Sequence, residues 1–163
     1  MEFTRSFDTS KKIPMVTLTG GPCGGKSSSL DSLKITLHDA GYDVFTVPEA
    51  NTILVSNGAT FPGFDESKRS ELLQYEINLM QLLFDMERAI QSVAAIGAKK
   101  PVIICDRGAM DIRAYLPDDL WEQLLQRMGL TEQSLLDRYD LVLLPLLLLP
   151  LLLLEIAALN YCK

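Results

Sequence analysis

The sequence predicts an α/β domain, a parallel β-sheet with helices on both faces. Three observations predict it. Short apolar runs rich in β-branched residues alternate with longer stretches of helical periodicity. The run at residues 101–105 (PVIIC) is almost continuously apolar, as befits a strand covered on both faces. Neither a repeat nor a linker divides the 163 residues, so one domain is expected.

Residues 13–19 (IPMVTLT) form a β-branched run that ends at glycines, the expected first strand. Residues 26–40 follow with Leu30, Leu33 and Leu37 at helical spacing, and Gly41 stops that helix. Residues 43–47 (DVFTV), closed by Pro48, make the second strand. Residues 51–64 hold two glycines and a proline and are expected as a loop, or a short helix with a loop. From 66 to 95 the pattern is helical. Leu73, Ile77, Met80 and Phe84 form one apolar stripe, Ile90, Val93 and Ala94 continue it, and Gly97 ends it. Glu66–Lys68, Glu87 and Arg88 are expected on solvated faces of this helix. Residues 101–105 are the third strand, and 106–113 a loop with a turn of helix. Residues 118–127 and 131–138 are helices, the second capped by Thr131. Residues 141–144 are the fourth strand. Trp121, Leu120, Leu124 and Leu125 are expected in the core. His38 has no partner motif and is expected to be structural or exposed.

Hydrophobic residues make up 48% of the chain, enough to build a real core. The net charge of −6 argues against a dedicated nucleic-acid binder, which needs basic surface to neutralise phosphates. It leaves a nucleotide open, because backbone N–H groups can hold phosphate. The three cysteines, Cys23, Cys105 and Cys162, are far apart, which argues against a disulfide framework and a zinc site. A reducing, cytoplasmic compartment fits them. Residues 1–14 are polar and charged, with no apolar segment of a secretory signal. The expected organisation is a flexible segment at 1–12, the folded domain at 13–144 and a Leu/Pro-rich tail at 145–163. Residues 141–154 read LVLLPLLLLPLLLL. This run is shorter than the ~18 apolar residues of a transmembrane helix, and Pro145 and Pro150 interrupt it. A buried strand followed by an atypical tail is the expectation; a tail anchor, peripheral to membranes, is the alternative.

One segment carries specific chemistry. Gly20, Gly21, Pro22, Cys23, Gly24, Gly25, Lys26 and Ser27 fit the pattern G-x-x-x-x-G-K-[ST], placed between a strand and a helix. The glycines let a loop fold tightly, with N–H groups aimed at phosphate oxygens. The helix beginning near Lys26 adds its positive end. Lys26 is expected at the β- and γ-phosphates, the Ser27 hydroxyl at Mg²⁺, and Ser28 beside them as a further nucleotide contact. Cys23 is either a small spacer or a redox-sensitive thiol.

Three acidic or basic positions join this P-loop. Asp106 directly follows the apolar third strand, where a Walker B acid would hold Mg²⁺, directly or through water. The alternative is an aspartate that makes a turn or caps a helix. Arg107 either contacts phosphates or an anionic substrate, or pairs with Asp106 or Asp111. Asp111 is taken as structural, with a helix cap or a solvated metal contact as options. Glu49 lies just beyond the second strand, at the ligand-facing edge of a parallel sheet. It is either a base that accepts a hydroxyl proton or a surface glutamate.

The segments TLTGGPCGGKSSSL, VPEANTILVSNGATFPG and VIICDRGAMD together resemble the AAA-type P-loop domain shared by NadR-type ribosylnicotinamide kinases and the TRPL translocation defect protein 14, the latter group most of all. The resemblance covers residues 12–140. It implies a kinase-like P-loop NTPase fold, incomplete at its C-terminal end, in which residues 20–27 bind the triphosphate, Asp106 and Arg107 occupy the Walker B region, and Glu49 sits in the catalytic or substrate pocket. The translocation defect group is known as GTP-binding and linked to membrane trafficking, which implies phospholipid as a partner. The arginine-rich lid and base-binding loop of the family have no counterpart after Asp140, and no N-K-x-D or T-K-x-D motif selects guanine.

Three functions follow as expectations. One is a regulatory protein that binds ATP or GTP with Mg²⁺. Another is a small-molecule kinase that moves the γ-phosphoryl group to a hydroxyl-bearing substrate, with Lys26, Glu49 and Arg107 as catalytic residues and Ser27 and Asp106 as metal ligands. The last is a truncated, non-catalytic or membrane-associated product.

Overall fold

The structure, a computed structural model, describes residues 12–21 and 26–144. Four parallel strands form one sheet: β1 (Met15–Leu18), β2 (Asp43–Val47), β3 (Pro101–Asp106) and β4 (Leu141–Leu143), in the spatial order β2-β3-β1-β4. The helices are α1 (Lys26–Asp39), α2 (Ala50–Ser56), α3 (Arg69–Gly97), α4 (Asp118–Met128) and α5 (Glu132–Leu136). Short 3-10 segments occupy Glu66–Lys68 and Ala109–Tyr115. The α/β fold class read from the alternating pattern is the one observed.

Strand alternation sorts the core into two layers. Met15, Phe45, Val47, Ile103 and Cys105 face α3 and its neighbours, with Leu73, Met80, Trp121 and Leu124. Leu18, Val102, Ile104 and Leu143 face α1 through Leu33 and Leu37. Both faces are therefore covered, and the unbroken apolar character of β3 follows from that burial.

The α3 stripe is rotated from its expected position. Its buried residues include Leu72, Leu73, Glu76, Leu79, Met80, Leu83, Glu87 and Ala94. Ile77 and Phe84 flank this stripe half-buried, and Val93 is 56% exposed. Glu87, expected on a solvated face, is fully buried. The reason is its partners: the Arg138 guanidinium pairs with Glu87, and the Tyr139 hydroxyl donates to Glu87 Oε1 at 2.7 Å. The polar group can stay inside because every charge-bearing side is met.

The chain ends of the domain are tied at β1. Asp140 Oδ2 accepts from the Met15 N–H at 2.9 Å, and Lys12 pairs with the same carboxylate. Lys12 is the one described residue of the segment expected to be flexible. Residues 1–11, and the whole tail at 145–163, lie outside the described residues. Among the described residues no helix is long and apolar enough to cross a membrane. Thr131 caps α5 as expected, accepting from the Ser134 N–H at 3.1 Å.

Candidate active site

Topology decides where the chemistry gathers. From β1 the chain crosses to β2 on one side of β3; from β3 it crosses to β4 on the other side of β1. The switch point therefore lies between the carboxyl ends of β1 and β3, where ligands enter sheets of this kind. The register aligns Leu18 with Asp106 and Val47 with Cys105. This brings three segments to one edge: the glycine-rich turn after β1, the Glu49 segment after β2, and the Asp106–Arg107 turn after β3.

Of the P-loop, Pro22, Cys23, Gly24 and Gly25 lie outside the described residues, so the expected amide cradle and the thiol of Cys23 stand outside the description. Its two flanks are described. Gly20 has φ +134°, a conformation that needs the absence of a Cβ. Lys26 is the first residue of α1, and its ammonium donates to the carbonyls of Gly20 (2.8 Å) and Gly21 (2.7 Å). Ser27 and Ser28 follow, exposed on the first turn. That turn carries no acidic residue, so the helix terminus keeps its positive potential for an outside anion.

Arg107 is the hub of the other side. It is a non-glycine residue with φ +76°, locked there by its N–H donating to the Leu18 carbonyl at 2.9 Å. Such a conformation is unfavourable by ~1–2 kcal/mol and is typical of functional turns. Its Nε donates to Glu49 Oε1 at 2.5 Å, and Nη1 to the Gly20 carbonyl at 3.3 Å. The carboxylate that Arg107 meets is thus Glu49, and not the Asp106 or Asp111 offered as an alternative to a phosphate contact, because β2 lies directly beside β3 and presents Glu49 to the turn. Glu49 Oε2 accepts from the Thr52 hydroxyl at 2.8 Å, so both its oxygens are oriented. Glu49 and Arg107 are only 26% and 19% exposed, too enclosed for a freely solvated surface pair.

Asp106 stands apart from these pairs. Its Oδ1 is buried and has no hydrogen-bond partner among the described residues. Burial, followed by the charge of Glu49, raises its pKa; Lys26 and Arg107 pull the other way without cancelling the effect. Asp111 takes the structural role: its Oδ2 accepts from the Gly108 N–H at 2.7 Å, and the Thr19 hydroxyl donates to Oδ1. Gly108 is required by packing, since a Cβ there would lie 2.9 Å from Thr17 Oγ1 and 3.2 Å from the Tyr139 ring.

These donors fit magnesium. Mg²⁺ is held by one or two protein oxygens together with substrate phosphates, not by a protein cage. Among the described residues no cluster of three or more His, Cys, Asp or Glu side chains could enclose a metal. An orphaned carboxylate oxygen at the end of β3 and an exposed hydroxyl at the head of α1 are the sparse set such an ion uses.

Beside Asp106 and Arg107 opens a cavity of about 340 Å³, within the size range of small-molecule sites. Glu49, Asp106, Arg107 and Asp111 line its polar end; Phe61, Phe64 and Tyr115 line the rest with Glu76. The sequence reading passed over Glu76. The signal was present, because residues 72, 76, 79 and 83 recur at helical spacing and a carboxylate occupies one of four apolar positions.

The sequence profile of the AAA domain family matches residues 15–145. The chain belongs to the AAA domain family. A P-loop AAA domain is a nucleotide-binding fold whose usual companion ion is Mg²⁺; in this AAA domain the glycine-rich segment lies between β1 and α1, and Asp106 closes β3. No curated protein sequence matches the chain at a significant level. Among solved structures, a cysteine-to-alanine variant of the Mycobacterium tuberculosis APS kinase CysC aligns with 91% of this chain and 97% of that one, at 19% identity and a TM-score of 0.41. The structure of APE1195 aligns with 91% of this chain and 76% of that one, at 20% identity and a TM-score of 0.35.

Proposed function

We propose that this AAA domain is a phosphotransferase that moves the γ-phosphoryl group of ATP or GTP to a hydroxyl of a small molecule. The observation that carries the proposal is the cavity beside Asp106 and Arg107. A nucleotide switch needs a nucleotide site alone; a kinase also needs a chamber for its acceptor, and a cavity lined by Glu49, Asp106 and Arg107 supports that reading.

In this reading the acceptor hydroxyl oxygen attacks the γ-phosphorus from the cavity side. The bond between that phosphorus and the β-bridging oxygen breaks, and the nucleoside diphosphate leaves with the oxygen. Glu49 receives the hydroxyl proton, oriented for it by Arg107 and Thr52. Lys26 exchanges the carbonyls of Gly20 and Gly21 for phosphate oxygens, with the amides of the loop and the hydroxyls of Ser27 and Ser28 beside it. Arg107 offers its remaining N–H groups to the transferred group. Mg²⁺, when bound by Ser27 and Asp106, supplies charge neutralisation at the β- and γ-phosphates.

The motifs that resemble NadR-type ribosylnicotinamide kinases support this assignment. The same resemblance to the translocation defect group supports a different one, a regulatory nucleotide-binding protein of membrane trafficking with phospholipid as a partner; no feature of the cavity favours it.

Titration with fluorescent ATP and GTP analogues in Mg²⁺, followed by triphosphate turnover with and without a desalted small-metabolite extract, separates the readings. Lys26→Ala is expected to weaken triphosphate binding at least ~10-fold, one charge-assisted hydrogen bond or more. Glu49→Gln is expected to lower extract-stimulated turnover by ~10²–10⁴ with triphosphate affinity kept. Slow turnover indifferent to the extract and to Glu49 would overturn the phosphotransferase in favour of the regulatory protein.

A further inference from the structure

Helix α3 carries a carboxyl group where its apolar stripe should continue. Glu76 sits among Leu72, Leu79, Met80 and Leu83 and is only 2% exposed. Its Oε2 has no hydrogen-bond partner among the described residues. Leaving a buried polar oxygen unpaired is unfavourable, and such a group in a cavity wall is satisfied by what enters the cavity.

The cavity tells what can enter. Phe61 meets Phe64 edge-on, with ring centroids 5.2 Å apart, and Tyr75 at 5.6 Å; Phe61 and Phe64 give the chamber an aromatic wall. Glu49, Glu76, Asp106 and Asp111 all line the chamber. Arg107 is the one cation among the lining residues; Glu49 and the Gly20 carbonyl take two of its N–H groups, and in the proposed reaction the transferred phosphoryl group takes the rest. A second anionic group on the acceptor would meet carboxylates on several sides and no further cation among the lining residues. An apolar ring would be well received, and a polar group on it would find the Glu76 carboxyl. Burial raises that carboxyl to a pKa of about 7, so near neutrality it can donate as well as accept.

We propose that Glu76 is the specificity-determining residue of the acceptor pocket, hydrogen-bonding an uncharged alcohol with an apolar ring, while the acidic wall rejects acceptors that already bear a phosphate or carboxylate. This rests on the cavity being the acceptor pocket of the phosphotransferase.

4-Hydroxybenzyl alcohol and 4-(hydroxymethyl)benzoate share the ring and the hydroxymethyl acceptor and differ in an uncharged hydroxyl against a carboxylate, and so serve as probes. Each is titrated into the full chain saturated with Mg²⁺ and a non-hydrolysable triphosphate analogue, which blocks the P-loop. NMR signals of Phe61 and Tyr115 report the pocket. The uncharged alcohol is expected to bind at least ~10-fold more tightly than the carboxylate. Glu76→Leu is expected to weaken the alcohol ~10-fold, as for loss of one hydrogen bond, and Glu76→Gln to keep it within ~3-fold. A carboxylate that binds as well as the uncharged alcohol, a wild-type protein blind to millimolar alcohol, or a Glu76→Leu variant that binds it undiminished overturns the inference. A separate fluorescence titration of the triphosphate analogue keeps the two readings apart. Absent triphosphate binding sinks the phosphotransferase, whereas lost selectivity with triphosphate binding intact sinks the Glu76 assignment alone.

Discussion

Glu76 also makes a measurable statement about stability. Its carboxyl titrates at about 7 in the folded protein against 4.5 for the ordinary value, and burial is the cause. Between these values the folded protein holds a proton that the unfolded chain has released. Stability therefore falls as pH rises through this window and levels off above it. At ~1.4 kcal/mol per pH unit, the interval from 4.5 to about 7 amounts to ~3 kcal/mol. Glu76→Gln substitutes a neutral group of the same shape and removes the effect. The variant is expected to match the wild type within ~1 kcal/mol below about pH 4.5, and to exceed it by up to ~3 kcal/mol at about pH 8. Urea unfolding of both proteins at steps from about pH 4.5 to about pH 8 reads the difference directly. Asp106, raised in the same direction, is common to both proteins and cancels. A difference that stays constant across the range, or grows in favour of the wild type with rising pH, would refute the reasoning.

Glu87→Ala leaves the Arg138 guanidinium and the Tyr139 hydroxyl without their buried acceptor, and is expected to destabilise the domain by ~3 kcal/mol in urea unfolding, the lower end for a broken buried pair because Arg138 keeps some solvent contact. Gly108→Ala drives a methyl group against Thr17 and Tyr139; a loss of ~1–3 kcal/mol in the same assay checks it. Asp106→Asn is expected to make triphosphate binding nearly insensitive to Mg²⁺, whereas the wild-type affinity rises on adding the ion; titrations with and without Mg²⁺ compare them.

The order of strands and helices was legible in the chain because each element has a local cause. The 43–47 run is β-branched and aromatic, PVIIC is apolar throughout, and Gly41 adopts positive φ where the first helix has stopped. Lys26, Glu49, Asp106 and Arg107 could be named in advance for a related reason. Each lies at or just beyond the end of a strand or opens a helix, and in a parallel sheet all such positions share one edge. Partnership was not legible. Arg107 meets Glu49, 58 residues away, because a strand neighbour is chosen by the whole sheet and not by the adjacent sequence. Glu76 and Glu87 looked like two more charges on a long helix. Their burial depends on which face of α3 meets the sheet, on Arg138 and Tyr139 arriving from beyond α5, and on a cavity that no single segment encloses. Periodicity and turn chemistry are properties of neighbours along the chain, whereas desolvation is a property of everything that packs around an atom; the second emerges only when the chain has folded.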